Sequence, residues 1–239
     1  MSLRYRRVLL KLSGEALSSD SGESVDPARL QHLAREVASV HALGVQVAVV
    51  VGGGNYFRGT MADQWGISRA EADNIGMLGT VMNALMLRGA LTGLGEVDVR
   101  VMTAMPIQSV AEPFIRLRAI RHLDKGAIVI LAGGIGQPYV TTDYPSVQRA
   151  LEVDADALLV AKRGIDGIYS SDPNIDADAV RYDRLTYREA IDRGVKVMDT
   201  GAFVLADEQG LTMHVFDVAA AGAMSLICRG EDLGTLVQR

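Results

Sequence analysis

The sequence predicts an α/β fold built on a largely parallel sheet. Short apolar runs of strand length alternate with amphipathic stretches of helix length along the whole chain. The run at 45–51 is apolar without alternation, the pattern of a central parallel strand buried on both faces. Three strand ends lead straight into glycine, at Ser13-Gly14, at Gly52-Gly53-Gly54 and at Gly133-Gly134-Ile135-Gly136. Such ends lie on one edge of a parallel sheet, where open α/β sheets bind ligands.

Taken in order, the first strand is 8–12. After the polar loop from Ser18 to Gly22, Asp26 and Pro27 supply an N-cap and a first helical residue. Leu30, Leu33, Val37 and Val40 recur at helical spacing, and Gly44 marks the stop. The strand at 45–51 follows. From about Asn74 to Leu91 the chain is apolar almost all round, so this helix is either deeply buried or pressed against another subunit, and the interface reading is favoured. Further strands are expected at 97–103, 128–132, 158–161 and 213–216, with helices near 147–152, 187–193 and 199–208. Asp166-Gly167, between Ile165 and Ile168-Tyr169, predicts a tight hairpin turn. With no repeat or linker, residues 1–239 form one domain, whose sheet has two lobes divided near residue 155.

Of the 239 residues 49% are hydrophobic, 22% charged and 5% aromatic, with 25 glycines and a net charge of −5. This balance argues against a protein that wraps nucleic acid, because such binding neutralises phosphates with clustered Lys and Arg. Small anionic ligands need only a local group of donors. Cys228, the single cysteine, cannot close an intramolecular disulfide and sits among apolar residues, which reads as packing in a reducing compartment. His32, His41, His122 and His214 are scattered, so no protein-built metal site is expected. Arg4, Arg6 and Arg7 precede a short apolar run in the manner of a signal peptide, but Lys11 breaks that run after three residues. No uncharged apolar run approaches the ~20 residues of a membrane span. The expected setting is cytoplasmic, with neither nucleic acid nor membrane as partner.

Neither Gly-x-x-x-x-Gly-Lys-Ser/Thr nor Gly-x-Gly-x-x-Gly occurs; Gly134-Ile135-Gly136 continues as Gln137-Pro138-Tyr139. A P-loop enzyme and a dinucleotide dehydrogenase are thereby disfavoured. The glycine loops either make tight turns or let the backbone approach an anion closely. Lys11 ends an apolar strand, where a charge is costly without an anionic partner, so it meets a phosphate or a structural carboxylate. Arg58, four residues past Gly54, can fork onto a phosphate. Thr141-Thr142-Asp143 precedes a helix with Pro145 in its first turn. The hydroxyls and helix N-terminus could face a phosphate, while Asp143 is an N-cap, a steering group for lysines or a Mg²⁺ ligand. Lys162 ends another strand and is a second cation. Phosphoryl transfer needs donor and acceptor held in line and the moving charge neutralised, and these are suitable parts.

As a set, six motifs closely resemble the bacterial uridylate kinase (UMP kinase) family of the amino-acid kinase superfamily. They are Lys11-Leu12-Ser13-Gly14-Glu15-Ala16-Leu17, Gly52-Gly53-Gly54-Asn55-Tyr56-Phe57-Arg58-Gly59, Gly76-Met77-Leu78-Gly79-Thr80-Val81-Met82-Asn83, Thr141-Thr142-Asp143, Asp166-Gly167-Ile168-Tyr169 with Asp172-Pro173, and Lys196-Val197-Met198-Asp199. The resemblance runs from about residue 7 to Gly234-Thr235-Leu236. It implies a three-layer α/β/α sandwich around a mainly parallel sheet, transfer of the γ-phosphoryl group of ATP to UMP with Mg²⁺ held mainly by phosphates, and a cytoplasmic homohexamer.

Carried over by motif, Lys11, Leu12, Ser13 and Gly14 are expected at the ATP phosphates, with Gly53 at UMP, and Gly54 and Arg58 where the two nucleotides meet. Asp73 is similar to the carboxylate that binds the UMP ribose hydroxyls. Ile135, Gly136, Gln137, Pro138, Tyr139, Val140, Thr141 and Thr142 resemble the uridine and phosphate loop. Tyr169 and Asp172 correspond to adenosine contacts, and Lys162 or Arg163 to the second cation. Lys11, Arg58, Asp143 and Lys162 form the catalytic set. The first lobe, about 1–155, would hold mainly UMP and the second, about 156–239, mainly ATP. The helix at 74–91 corresponds to a subunit interface. GTP and UTP are candidate allosteric effectors.

Three departures stand out: Ile135 replaces a frequent Thr, the segment 161–165 is one residue longer than in many relatives, and Ser18 to Ser24 lacks a Gly-Phe-Gly-like stretch. Two other readings compete. One is a carboxylate or carbamate kinase on the same fold, against which Asp73 and Tyr56-Phe57-Arg58 favour a nucleotide acceptor. The other is a nucleotide sensor without turnover, against which Lys11, Arg58 and Asp143 stand together.

Overall fold

The structure is a computed structural model that describes residues 3–57, 62, 64–95 and 97–239. Nine strands form one sheet in the order β4-β3-β5-β2-β1-β6-β10-β11-β9. Its centre is β1 (Arg7–Leu12), with β2 (Gln46–Val51) on one side and β6 (Ala157–Lys162) on the other. Beyond β2 lie β5 (Ile128–Ala132), β3 (Val99–Thr103) and the short β4 (Glu112–Pro113), all parallel. Beyond β6 come β10 (Thr212–Asp217), parallel to it, then β11 (Thr235–Gln238), antiparallel to β10, and β9 (Arg184–Thr186). Because β1 pairs with both β2 and β6, the two halves of the chain share one uninterrupted sheet.

Strand alternation sorts the core into two faces. Val8, Leu10, Leu12, Val47, Val49 and Val51 pack under α1 (Pro27–Ala42), α2 (Arg69–Thr92) and α7 (Ala223–Cys228). Leu9, Ala48, Val50, Leu158 and Val160 pack under α3 (Arg116–Asp124), α4 (Asp143–Glu152), α5 (Tyr187–Asp192) and α6 (Thr200–Gln209). This is the expected three-layer α/β/α sandwich. As read from the sequence, Asp26 caps α1, its carboxylate accepting the N–H groups of Ala28 and Arg29, and Pro27 opens the helix. The α1 chain ends before Gly44, whose φ of +87° needs a residue without a Cβ.

Two readings change. The Asp166-Gly167 hairpin does not form: β7 (Ile168–Tyr169) pairs instead with β8 (Arg181–Tyr182), across a long loop. Gly167 is small for packing, since a Cβ there would lie 2.6 Å from Thr235 Oγ1 and 2.8 Å from Arg181 Cδ. The helix expected from about Asn74 starts earlier, at Arg69, because Ser68 caps it by accepting the Glu71 N–H. With 24 residues, α2 is the one helix among the described residues long and apolar enough to cross a membrane, and half of that apolar window is buried inside the fold. It packs along α1, β3 and β5.

Candidate active site

The C-terminal ends of β1, β2, β5 and β6 lie side by side, as the glycine pattern required. Alternation puts Lys11 on the Leu9 face of β1 and Lys162 on the Leu158 and Val160 face of β6, so neighbouring strands deliver two cations beneath the start of α4. Lys11 Nζ lies 2.9 Å from Asp143 Oδ1, with side chains 6% and 17% exposed. Asp143 Oδ2 accepts the Asp199 N–H at 3.0 Å, and Asp199 Oδ2 accepts the Thr141 hydroxyl at 2.5 Å. Asp143 thus contacts Lys11, and it is not the N-cap of α4, a place taken by Thr142. Burial, then the neighbouring Lys11 charge, pushes Lys162 down to about 8. The Lys162 ammonium donates to the Val197 carbonyl.

Three clefts follow this edge. The central one, of about 220 Å³, is lined by Lys11, Ser13, Gly14, Gly54, Thr141, Thr142, Asp143 and Asp199 among others. A cleft of about 530 Å³ opens on one side, and its walls include Gly53, Asp73, Ile135, Gln137, Val140 and again Gly54, Thr141 and Thr142. On the other side a cleft of about 740 Å³ is lined by Lys162, Tyr169, Asp172, Val195 and Val197. The two larger clefts therefore flank a small one furnished with Lys11 and Asp143.

Some expected residues sit elsewhere. Leu12 is fully buried in the core and its carbonyl accepts the Gly52 N–H, so it offers the cleft no side chain. Arg163 does not line the 740 Å³ cleft beside Lys162; it pairs with Asp20 and donates to the carbonyls of Glu15 and Ser18. Gly136, Pro138 and Tyr139 are absent from the 530 Å³ lining, and Tyr139 is 69% exposed, though its backbone N–H donates to Asp73 Oδ2 at 2.7 Å. Tyr169 hydroxyl donates to Asp166 at 2.5 Å, which holds that carboxyl below the usual range. Arg58 lies outside the described residues.

The glycine loops have different reasons to be glycine. A Cβ on Gly14 would stand 2.9 Å from Gly52 O and Gly54 N, and one on Gly53 would stand 2.3 Å from Gly76 O. Those two make room for loop on loop and loop on helix. Among the described residues nothing crowds a Cβ at Gly54, and Gly54 lines both the central and the 530 Å³ cleft.

Residues not assigned a role from the sequence complete the site. Asn83, fully buried, donates to Gly52 O at 2.7 Å and Asn55 Oδ1 at 2.8 Å. Thr80 Oγ1 accepts the Gly133 N–H at 2.7 Å. Being three apart, both face the loops, and polar residues in an otherwise apolar helix were the available signal. Asp199, in the Lys196-Val197-Met198-Asp199 run, is brought to the cleft only by folding.

A family model described as the amino acid kinase family matches residues 6–217. The chain is 59% identical over 234 residues to a uridylate kinase of Frankia alni, covering 98% of this chain and 91% of that protein. It is 50% identical over 236 residues to a uridylate kinase of Pediococcus pentosaceus, covering 99% and 98%. Among solved structures, UMP kinase from Bacillus anthracis superposes with a TM-score of 0.96 at 53% identity, covering 98% of this chain and 96% of that one. UMP kinase from Ureaplasma parvum gives 0.92 at 30% identity, covering 99% and 100%.

Proposed function

The chain belongs to the amino acid kinase family, among its uridylate kinases, and from that premise we propose how its clefts divide the work. The reaction is transfer of the γ-phosphoryl group of ATP to UMP, giving UDP and ADP, a step in pyrimidine nucleotide synthesis. In our reading UMP occupies the 530 Å³ cleft, formed by residues of the first lobe, and ATP the 740 Å³ cleft, formed by the second. Their phosphates meet over the 220 Å³ cleft. The observation that carries this assignment is the Lys11–Asp143 pair at the junction of the two.

Transfer of a phosphoryl group asks for alignment and for neutralisation of spreading charge. Lys11, released from Asp143 or shared with it, meets the transferred group from one strand, and Lys162 meets it from the next. The open Gly54 lets backbone N–H groups come close. Preorganised donors of this kind are each worth roughly 3–4 kcal/mol in a transition state. Arg58 joins them by its place in the motif. Lys162 rather than Arg163 is assigned as the second cation, since only Lys162 lines the cleft.

Among the described residues no cluster of His, Cys, Asp and Glu could hold a metal ion alone. The central cleft does carry Asp143 and Asp199, and one or two carboxylates beside phosphates suit Mg²⁺, which keeps its other ligands from phosphate and water. When bound with ATP it would offset phosphate charge, and these two carboxylates would hold it.

We further assign a homohexameric assembly with α2 at a subunit interface, supported by Leu78 and Met82, 46% and 45% exposed on an apolar helix. GTP as activator and UTP as inhibitor rest on the family resemblance. A cytoplasmic setting rests on the family resemblance and on a single cysteine, Cys228, which cannot close an intramolecular disulfide.

The test is a coupled assay of purified protein with ATP and each nucleoside monophosphate. Turnover selective for UMP is expected; equal turnover of CMP and UMP, or none with either, overturns the reading.

A further inference from the structure

Arg69 is the first residue of α2, where a cation opposes the helix dipole and gains nothing from it. Its position is instead explained by Asp73, one turn on. Arg69 Nε donates to both carboxylate oxygens of Asp73, at 2.9 and 3.0 Å. Asp73 Oδ2 also accepts the Tyr139 N–H at 2.7 Å. Tyr139 holds φ at +69°, a left-handed conformation that bulky side chains seldom adopt and that persists only where surroundings enforce it. Both Arg69 and Asp73 line the 530 Å³ cleft, whose lining also includes Val140, Thr141 and Thr142.

A carboxylate offers roughly four lone-pair sites, two on each oxygen. On Oδ2 one goes to Arg69 and one to Tyr139. On Oδ1 one goes to Arg69, and the other has no partner among the described residues, on a side chain that lines the cleft.

We propose that Arg69 is a positioning residue for the acceptor nucleotide. It sets the Asp73 carboxylate so that one oxygen latches the 135–142 loop, through the Tyr139 N–H, while the other keeps a single acceptor site for a ribose hydroxyl. This rests on the UMP-binding reading above. It adds that Asp73 reads one hydroxyl while the loop is docked, and that loop order and acceptor affinity are set by the same ion pair. Arg69 is 54% exposed on its side chain and Asp73 17%, so salt weakens the latch without abolishing it.

Two measurements test it. Hydrogen–deuterium exchange without nucleotide reads the latch itself: the segment 135–142 should exchange about 10-fold faster in Arg69→Ala and in Asp73→Asn than in the wild type. Steady-state kinetics reads its use: Arg69→Ala should raise KM for UMP about 10-fold or more, keep KM for ATP within about twofold, and change kcat less than about threefold. Arg69→Lys should recover part of the loss, because an ammonium pairs with Asp73 but lacks the guanidinium geometry. Loop exchange equal to wild type in both variants overturns the latch, whatever the acceptor is. Faster exchange with KM for UMP unchanged, or with KM for ATP rising in step, overturns the positioning role. A wild type that does not turn over UMP overturns the functional reading alone, with the exchange result still deciding the latch.

Discussion

Lys11 and Asp143 meet at 2.9 Å, the lysine from the central strand and the carboxylate from the first residue of α4. Through Asp199 and Thr141 the contact continues into α6 and the acceptor loop. In the reading proposed above, a nucleotide phosphate entering here would compete with Asp143 for Lys11, so that the cation is held in place and still exchangeable.

Lys11→Ala should lose activity by about 10²–10³-fold, the scale of removing one preorganised donor, while the far-UV and near-UV circular dichroism stay native. Arg58→Ala is expected to lose activity likewise, on the strength of its motif. Activity within about threefold of wild type in either variant contradicts the assigned role.

Gly53→Ala and Gly54→Ala should separate packing from chemistry. At Gly53 a Cβ meets backbone at 2.3 and 2.8 Å, so either the loop or α2 must shift, at a cost of about 1–3 kcal/mol or more. At Gly54 no atom of the described residues lies within 4 Å. Thermal melting should show a lower Tm for the first and a wild-type Tm for the second, whose defect should be confined to nucleotide affinity and turnover.

Burial lowers Lys162 to about 8, so in the free enzyme its charge is lost as pH rises through that value. If the ammonium faces the transferred group, kcat/KM should fall over that limb, and Lys162→Arg should flatten it because a guanidinium stays charged. An unchanged limb in the arginine variant assigns the titration to another group.

His214 is buried beside Tyr5, 2.7 Å from its hydroxyl, and burial lowers the imidazole to about 4. The unfolded chain takes up this proton first, near pH 6.5, so stability is undiminished above that pH and is lost as pH falls toward 4. Melting curves between pH 7.5 and 4.5 should show a smaller drop for His214→Gln than for the wild type. Equal drops would place the acid sensitivity elsewhere.

Leu78→Glu with Met82→Glu puts charge on the exposed apolar strip of α2. Light scattering should show the assembly falling to smaller species. An unchanged mass would remove α2 from the interface.

Much of the fold was legible because its signals are local. The cap and proline at Asp26-Pro27, the unbroken apolar strand at 45–51 and the glycine-ended strands each depend on residues close in sequence. Local signals also mislead at Asp166-Gly167. A short Asp-Gly run has the composition of a hairpin, but Gly167 is small because Thr235 and Arg181 press against it from far along the chain.

The order of strands and helices carried the fold class, the resemblance of the motif set carried the family, and the charges at the strand and loop ends nominated Lys11, Arg58, Asp143 and Lys162. Folding decided which of the charges meet. Strand alternation and the β1–β6 pairing bring Lys11 and Lys162 to one face, and the start of α6 brings Asp199 there. A helix expected mainly to bind another subunit braces two of the three glycine loops, through Thr80 at Gly133 and Asn83 at Gly52. These contacts join residues distant in sequence, and hydrogen bonds act only over about 3 Å, so no pattern along the chain encodes them until the sheet has closed.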